Sequence, residues 1–138
     1  METISILLVE DNPVDARLVK DALRETQGFT YRLDQAENYK DAVKLLDKNP
    51  FHLVLLDLNL PDSTGKETFT KMRKLYPHVP VVVFTDYIDE MVPFEILQEG
   101  IEIYLIKGRT DAGLLKKNLE YALGKIRDSR VPVTGKAD

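Results

Sequence analysis

The stretch His52-Leu-Val-Leu-Leu-Asp-Leu-Asn-Leu-Pro-Asp-Ser-Thr-Gly65 decides how this chain folds. Its apolar run, residues 53–56, is followed by the turn residues Pro61, Asp62 and Gly65, a pattern typical of a strand that is buried on both faces. Asp57 stands where that strand ends. Because an isolated buried carboxylate is costly or takes up a proton, we expect Asp57 to be solvated, paired or metal-bound.

The composition is that of an ordinary globular chain with one domain. Its 138 residues, 43% of them hydrophobic and 30% charged, can bury about two-thirds of their unfolded surface in a single core. No apolar run approaches the roughly 20 residues needed to cross a bilayer, and no basic segment opens the chain, so we expect no membrane association, no secretion signal and a cytoplasmic location. We expect residues 1–129 to form the domain and residues 130–138 to form a flexible tail or the start of a linker.

The residue types exclude several kinds of chemistry. The chain has no Cys and two His, which excludes disulfides, thiolate metal sites and Cys nucleophiles and leaves too few ligands for a zinc cluster. A net charge of −4 disfavours direct nucleic-acid binding, which needs a basic stripe. We therefore expect chemistry based on carboxylates and a hard cation.

Predicted strands alternate strictly with predicted helices. The five segments that predict strands are residues 4–9, 31–37, 53–56, 79–85 and 103–106. Four of them are apolar runs, and residues 31–37 are more polar with partial alternation, as in an edge strand. A helical pattern follows each of them. Five such pairs predict an α/β fold with a doubly wound, parallel five-stranded sheet and a ligand site at the carboxyl ends of the strands.

Capping residues place the starts of the helices. Asp11 or Asn12 can cap the first helix, because Pro13 is favoured at a first helical position. Asn38 can cap the second helix, and Asp89 can open the fourth. The apolar stripe predicted for the first helix consists of Val14, Leu18, Ala22 and Leu23.

Polar residues follow the predicted strands. The acidic pair Glu10 and Asp11 follows the first strand, and Asp57 follows the third. Thr85 ends the fourth strand, and Lys107 follows the fifth. Because parallel strands end at the same edge, we expect these groups to converge. Two like charges about 4 Å apart repel by roughly 4 kcal/mol at an effective dielectric of about 20, so three carboxylates need a cation, and oxygen ligands favour Mg²⁺.

This set of groups suits phosphoryl transfer. A carboxylate can form a covalent acyl phosphate, which makes Asp57 the expected nucleophile. Lys107 would neutralise the transferred group, and Thr85 would donate a hydrogen bond to it. A metal held by few carboxylates is typical of sites where a phosphate supplies the remaining ligands.

At these residues the chain resembles the receiver domain of two-component response regulators. The shared features, in chain order, are the acidic pair Glu10-Asp11, Asp57, the loop Leu60-Pro-Asp-Ser-Thr-Gly65, Thr85, Tyr104 and Lys107. The resemblance runs from Ile4 to about Arg127. It implies a chemotaxis-regulator-like receiver domain with a flavodoxin-like (βα)5 fold and strand order 2-1-3-4-5.

The resemblance implies a role for each acidic residue. Mg²⁺ would be bound by Asp11, Asp57 and the backbone carbonyl of Asn59, with Glu10 helping through a water molecule. Asp57 would take its phosphoryl group from a sensor histidine kinase, from a phosphotransfer protein or from a small phosphodonor. The domain would catalyse only its own phosphorylation and dephosphorylation, and in that sense would not be an enzyme.

The resemblance also implies a switch. Thr85 would move toward the phosphate, Tyr104 would swing inward, and the face made of the fourth helix, fifth strand and fifth helix would change its partner preference. The output would lie in trans, on a downstream protein or an output domain. The same face could form a homodimer.

Four positions depart from the family pattern or tune it. Gly108 replaces the usual proline after Lys107, as in one subgroup of receivers. A cis bond before a non-proline residue costs roughly 2.5–4 kcal/mol, so we expect this peptide bond to be trans. Asp86 replaces a small residue and could repel a phosphoryl group. Asn59 and Tyr87 occupy the positions that tune phosphoryl lifetime.

Two other classes of function stay open. A phosphorylation-independent pseudo-receiver that acts as a docking module is favoured by Asp86. A Mg²⁺-dependent phosphohydrolase of the aspartyl-phosphate kind is suggested by Asp57-Leu-Asn59, but Asn59 stands where that chemistry requires a second acid. A glycine-rich nucleotide-binding fold is disfavoured, because the turn of residues 10–13 has no glycine and would repel a pyrophosphate.

Overall fold

The computed structural model describes residues 3–86 and 103–130. Three predictions lie outside these residues: the fourth helix, the role of Tyr87 and the course of residues 131–138. Within the described ranges, no helix has both the length and the apolar character needed to cross a membrane.

Seven strands lie in the described residues. They are β1 (Thr3–Val9), β2 (Thr30–Ala36), β3 (Leu53–Leu56), β4 (Asn59–Leu60), β5 (Ser63–Thr64), β6 (Val81–Thr85) and β7 (Ile103–Ile106). Five of them form one parallel sheet in the order β2-β1-β3-β6-β7, and β4 and β5 form a separate antiparallel hairpin. Without the hairpin, this is the predicted order 2-1-3-4-5. The doubly wound, flavodoxin-like fold is therefore confirmed.

Four helices accompany the sheet in the described part of the chain. They are α1 (Pro13–Glu25), α2 (Tyr39–Lys48), α3 (Lys66–Leu75) and α4 (Ala112–Arg130), the last of which is the predicted fifth helix. Asn12 caps α1, since its side chain accepts hydrogen bonds from two backbone N–H groups, and Pro13 is the first helical residue. Asn38 caps α2, since its side chain accepts a hydrogen bond from the Asp41 N–H. Of the two caps predicted for α1, Asn12 is the right one.

The core has two layers, one on each face of the sheet. Along β1, Ile6 and Leu8 pack with α1 and α4, whereas Leu7 and Val9 face α2 and α3. Residues 53–56 are buried on both faces, as predicted for a central parallel strand. Full burial of a Leu or Val side chain stabilises the fold by about 1.5–3 kcal/mol, so this strand anchors both layers.

The stripe predicted for α1 was wrong at its first residue. Val14 is 74% exposed, and the buried face of the helix consists of Ala16, Val19, Ala22 and Leu23. Position 14 lies in the first turn, on the side of α1 away from Ala16, Val19 and Leu23. Four strand limits also differ from prediction. β6 begins two residues later, β1 begins one residue earlier, and β2 both begins and ends one residue earlier.

The backbone at the edge of the sheet is held beyond the last strand residues. Glu10 N–H donates to the carbonyl of Ala36 at 2.9 Å, and Asp57 N–H donates to the carbonyl of Val9 at 3.1 Å. These two bonds continue the pairing of β1 with β2 and with β3 by one residue. The carboxylates of Glu10 and Asp57 therefore start from a backbone that the sheet fixes.

Candidate functional site

Asp57 is a buried carboxylate with three donors. Its side chain is 3% exposed. Oδ1 accepts hydrogen bonds from Thr85 Oγ1 at 2.7 Å and from the Asn59 N–H at 3.0 Å, and Oδ2 accepts from Lys107 Nζ at 3.0 Å. The expectation that this carboxylate would be paired is confirmed, and its donors come from three separate segments of the chain.

Lys107 lies among three carboxylates. Its Nζ is 2.8 Å from Asp15 Oδ2, 2.9 Å from Glu10 Oε1 and 3.0 Å from Asp57 Oδ2. Burial alone would lower the pKa of Lys107, but the hydrogen bonds to Asp15 and Glu10 and the charge of Asp57 raise that pKa above its ordinary value. The side chain is therefore an ammonium at neutral pH.

Glu10 is a buried carboxylate whose surroundings disfavour its charged form. It is 1% exposed. Burial and the negative charge of Asp57 raise the pKa of Glu10 from 4.5 to about 7, although Lys107 and the N–H of Asn12 donate hydrogen bonds to it. The single positive charge of Lys107 does not neutralise the three carboxylates of Glu10, Asp15 and Asp57. Glu10 therefore needs either a proton or a further cation near pH 7.

A cation site fits these residues. Glu10, Asp11 and Asp57 each offer a carboxylate oxygen, and these atoms lie within 4.8 Å of one another. Oxygen donors with excess negative charge are the set that a hard divalent cation such as Mg²⁺ prefers. The sequence placed all three residues at this edge, and the structure brings them together. The contribution of the Asn59 carbonyl and a water-mediated contact of Glu10 stay predictions.

The two predicted switch residues lie at different depths. Thr85 is fully buried, and its Oγ1 accepts a hydrogen bond from the Leu58 N–H at 3.3 Å while it donates to Asp57. Tyr104 is partly buried against the core layer of α2 and α3, and its hydroxyl oxygen is buried. Thr85 is thus inaccessible to solvent, whereas part of the Tyr104 side chain lies at the surface. Their movements on activation stay predictions.

A cleft of about 380 Å³ opens over the site. Asp57, Lys107 and Asn59 line it, and so does Asp86, which is exposed. The wall of the cleft over Asp57 thus includes a further carboxylate, that of Asp86. The peptide bond between Lys107 and Gly108 is trans, as expected, and these residues form a short 3-10 turn with Arg109.

Sequence reasoning missed two acidic residues. Asp15, in the first turn of α1, contacts Lys107, but the prediction considered only residues that follow strands. Asp62, read only as a turn residue, accepts hydrogen bonds from the N–H groups of Tyr39 and Lys40 at 2.8 and 3.0 Å. It thereby ties the loop after Asp57 to the N-terminus of α2. An acidic residue in a first helical turn was the available signal for Asp15.

The loop between Asp57 and α3 closes on a glycine. Gly65 N–H donates to the carbonyl of Leu58 at 2.7 Å, and Gly65 has a φ of 82°, a conformation that residues with a Cβ rarely adopt. The β4–β5 hairpin fills the loop between these two residues. The loop that the turn residues predicted after β3 therefore contains a closed hairpin.

Comparisons with known proteins agree with one another. The family model described as the response regulator receiver domain matches residues 6–119. The transcriptional regulatory protein ZraR of Klebsiella oxytoca is 32% identical over 133 residues, which cover 96% of this chain and 29% of ZraR. The nitrate/nitrite response regulator protein NarL of Escherichia coli (strain K12) is 30% identical, with 91% of this chain and 57% of NarL covered. The chain thus spans less than two-thirds of these relatives.

A solved structure shows the same fold. The crystal structure of the Mn(2+)-bound form of response regulator Rcp1 superposes with a TM-score of 0.75 and 27% identity, covering 94% of this chain and 99% of Rcp1. The similarity therefore extends over nearly the whole of both chains.

Proposed function

The chain belongs to the response regulator receiver domain family, and we propose that it is a switch that is phosphorylated on Asp57 in a His-Asp phosphorelay. Receiver domains of this family act in two-component signal transduction, where they interact with histidine kinases and output domains. The observation that carries the proposal for this chain is the environment of Asp57. This buried carboxylate contacts an ammonium and a hydroxyl and shares its edge of the sheet with two further acids.

In the proposed reaction, a carboxylate oxygen of Asp57 attacks the phosphorus of a phosphohistidine or a small phosphodonor. The P–O bond to Asp57 forms as the bond from phosphorus to the leaving group breaks, and the leaving group keeps the electron pair. The Lys107 ammonium offsets negative charge on the phosphoryl oxygens, and the Thr85 hydroxyl donates a hydrogen bond to one of them. Attack of water on the acyl phosphate later releases inorganic phosphate and restores the carboxylate.

Receiver domains bind Mg²⁺ in an acidic site, and we propose that this chain holds the ion with Asp11, Asp57 and the backbone carbonyl of Asn59. Glu10 would contribute through a water molecule. The clustering of carboxylate oxygens within 4.8 Å supports this assignment. When bound, Mg²⁺ supplies charge neutralisation at the phosphoryl oxygens.

The proposed switch acts on the surface beyond the site. Thr85 and Tyr104 would change position on phosphorylation, and the face that includes β7 and α4 would change its partner preference. Two large apolar side chains of α4, Leu114 and Tyr121, are exposed and support a binding role for this face. The same face could form a homodimer.

The proposed partners follow from the same chemistry. A sensor histidine kinase or a phosphotransfer protein would supply the phosphoryl group. A downstream protein or an output domain in trans would read the state of the switch. We place this exchange in the cytoplasm. Apart from its own phosphorylation and dephosphorylation, the domain would catalyse no reaction.

A second function is favoured by one observation. Asp86 lines the cleft over Asp57, where it repels an approaching phosphoryl group. A domain that docks to partners without being phosphorylated would tolerate such a residue. Peptide mapping separates the two functions: after incubation with Mg²⁺ and acetyl phosphate, borohydride reduction should convert Asp57 alone to homoserine. Failure to find homoserine at position 57 would favour the docking module.

A further inference from the structure

Asp15 makes a contact that the proposed phosphoryl transfer does not use. Its Oδ2 lies 2.8 Å from Lys107 Nζ, the shortest of the three distances between that ammonium and a carboxylate. The two residues are 92 positions apart in sequence. The pair therefore joins the first turn of α1 to the segment that follows β7.

Asp15 differs from the other two partners of Lys107. Glu10 and Asp57 belong to the carboxylate cluster that fits a cation, and in the described residues that cluster does not include Asp15. Glu10 and Asp57 must turn their oxygens toward a cation or a phosphoryl group for the proposed reaction. When they do so, Asp15 is the carboxylate that stays in contact with the Lys107 ammonium.

A fixed carboxylate partner would hold the long side chain of Lys107 in one position. The Lys107 side chain starts from a 3-10 turn whose second residue is Gly108, the most permissive residue for the backbone. Asp15, by contrast, is held by its own backbone, because its N–H donates to Asn12 Oδ1 at 3.1 Å at the start of α1. The side chains of Lys107 and Asp15 are 10% and 25% exposed, so the pair is less screened than a surface ion pair.

We propose that Asp15 is a positioning residue that holds the Lys107 ammonium beside Asp57 during phosphoryl transfer. This inference rests on the proposed function. Asp15 lines the same cleft as Asp57, and its carboxylate contacts the Lys107 ammonium, through which it would act. Its carboxylate fixes one side of the ammonium, which leaves the other N–H groups of Lys107 to face Asp57 and the transferred group.

Kinetics of the variants test the role in the reaction. With Mg²⁺ and saturating acetyl phosphate, we expect Asp15→Ala to lower the first-order rate of phosphorylation by roughly ten- to a hundred-fold, since a displacement of about 1 Å can cost that much. The donor concentration at half-maximal rate should change little. Asp15→Glu should recover part of the rate. Asp21→Asn is the matched control, because it removes one negative charge from an exposed position of α1, and its rate should equal that of the wild type.

The NMR signal of the Lys107 ammonium gives a readout that does not depend on activity. Lys107→Arg identifies the signal by removing it. In the wild type and in Asp21→Asn, the signal should stay visible after Mg²⁺ is added, because Asp15 protects the ammonium from exchange with water. In Asp15→Ala it should be visible without Mg²⁺, when Glu10 and Asp57 hold Lys107, and should be lost when Mg²⁺ is added.

The outcomes separate the two proposals. A wild-type rate in Asp15→Ala, a faster rate, or a Lys107 signal that survives Mg²⁺ in that variant would each overturn the positioning role. If the wild type itself accepts no phosphoryl group, the proposed function fails, and the NMR comparison still decides whether Asp15 holds Lys107. Asp15→Asn, which keeps the shape of the side chain, takes the place of Asp15→Ala if the alanine variant does not fold.

Discussion

The Thr85 hydroxyl donates a hydrogen bond of 2.7 Å to the Asp57 carboxylate across the ends of the neighbouring strands β3 and β6. The same hydroxyl accepts a bond from the Leu58 N–H. Thr85 therefore already lies beside the group that we propose to be phosphorylated. Its movement on phosphorylation would begin when its hydroxyl donates to a phosphoryl oxygen instead of the Asp57 carboxylate. Both bonds are buried, which makes the hydroxyl important for stability as well.

The first prediction concerns this hydroxyl. Thr85→Val should lower the free energy of unfolding by about 1–3 kcal/mol, because the buried Leu58 N–H loses its acceptor and Asp57 loses a donor. Thr85→Ser keeps the hydroxyl and should retain most of the stability. Urea unfolding of both variants in metal-free buffer measures the difference. Equal stability of the valine and serine variants would contradict the role given to the hydrogen bonds.

The second prediction concerns the ammonium. Lys107→Ala leaves the carboxylates at the site without their cationic partner, so we expect it to destabilise the metal-free protein by about 3 kcal/mol or more. Mg²⁺ should restore much of that loss, because it supplies positive charge to the same oxygens. Thermal or urea unfolding with Mg²⁺ and with a chelator measures both effects. Lys125→Ala, on the outer part of α4, serves as a control.

A variant of Lys107 that kept full stability in chelator would show that the carboxylates do not depend on the ammonium. Phosphorylation of Lys107→Ala should be slow even where Mg²⁺ still binds, since charge on the transferred group is no longer neutralised. The combination of retained Mg²⁺ binding and lost phosphorylation would separate the role of the ammonium from that of the cation.

The third prediction is a pH dependence of stability. In the folded, metal-free protein, the pKa of Glu10 is raised from 4.5 to about 7 by burial. Between these values the folded state binds more protons than the unfolded state, so stability should fall as the pH rises. The contribution of Glu10 is fully present below about pH 4.5 and is lost as the pH rises through about 7.

Glu10→Gln tests this assignment, because the amide has the same shape and does not titrate. Denaturant unfolding between pH 5 and 8 in chelator should show a smaller decline for Glu10→Gln than for the wild type, and Glu67→Gln, at an exposed position of α3, should behave as the wild type does. An unchanged pH profile in Glu10→Gln would mean that another group titrates. Saturating Mg²⁺ should weaken the decline, since it favours the ionised carboxylate.

The fourth prediction concerns Asp86. Its replacement by Ala should raise the rate of phosphorylation by acetyl phosphate several-fold at low salt, because a negative charge in the cleft repels an anionic donor. The gain should shrink as salt rises, since the Debye length falls to about 8 Å at physiological ionic strength. Asp128→Asn, at an exposed position of α4, controls for net charge. A phosphorylation rate that is the same in Asp86→Ala as in the wild type would contradict the proposed repulsion.

Much of the fold could be predicted because it depends on local patterns. Residues 53–56 are apolar without interruption, which is typical of a strand covered on both faces, and Asn12 with Pro13 is a strong signal for a helix start. The convergence of Asp57, Thr85 and Lys107 then follows from the rules for parallel α/β folds. The strand order itself was predicted from the resemblance to receiver domains.

The remaining features depend on tertiary geometry. The strands of the β4–β5 hairpin have two residues each, too few for any periodicity, and only the closure of the loop at Gly65 defines them. The contact of Asp15 with Lys107 depends on the angle at which α1 leaves the sheet. Val14 satisfied the helical period but lies in the first turn, where exposure depends on how the helix meets its neighbours.

The central claim is that Asp57 accepts a phosphoryl group, and intact-mass spectrometry tests it most directly. Wild type and Asp57→Asn are incubated with acetyl phosphate in Mg²⁺ and, separately, in chelator. We predict one phosphoryl group per chain, labile to hydroxylamine, on the wild type in Mg²⁺ alone. A full phosphoryl adduct on Asp57→Asn, or no adduct on a wild type that binds both Mg²⁺ and beryllofluoride, would contradict the claim.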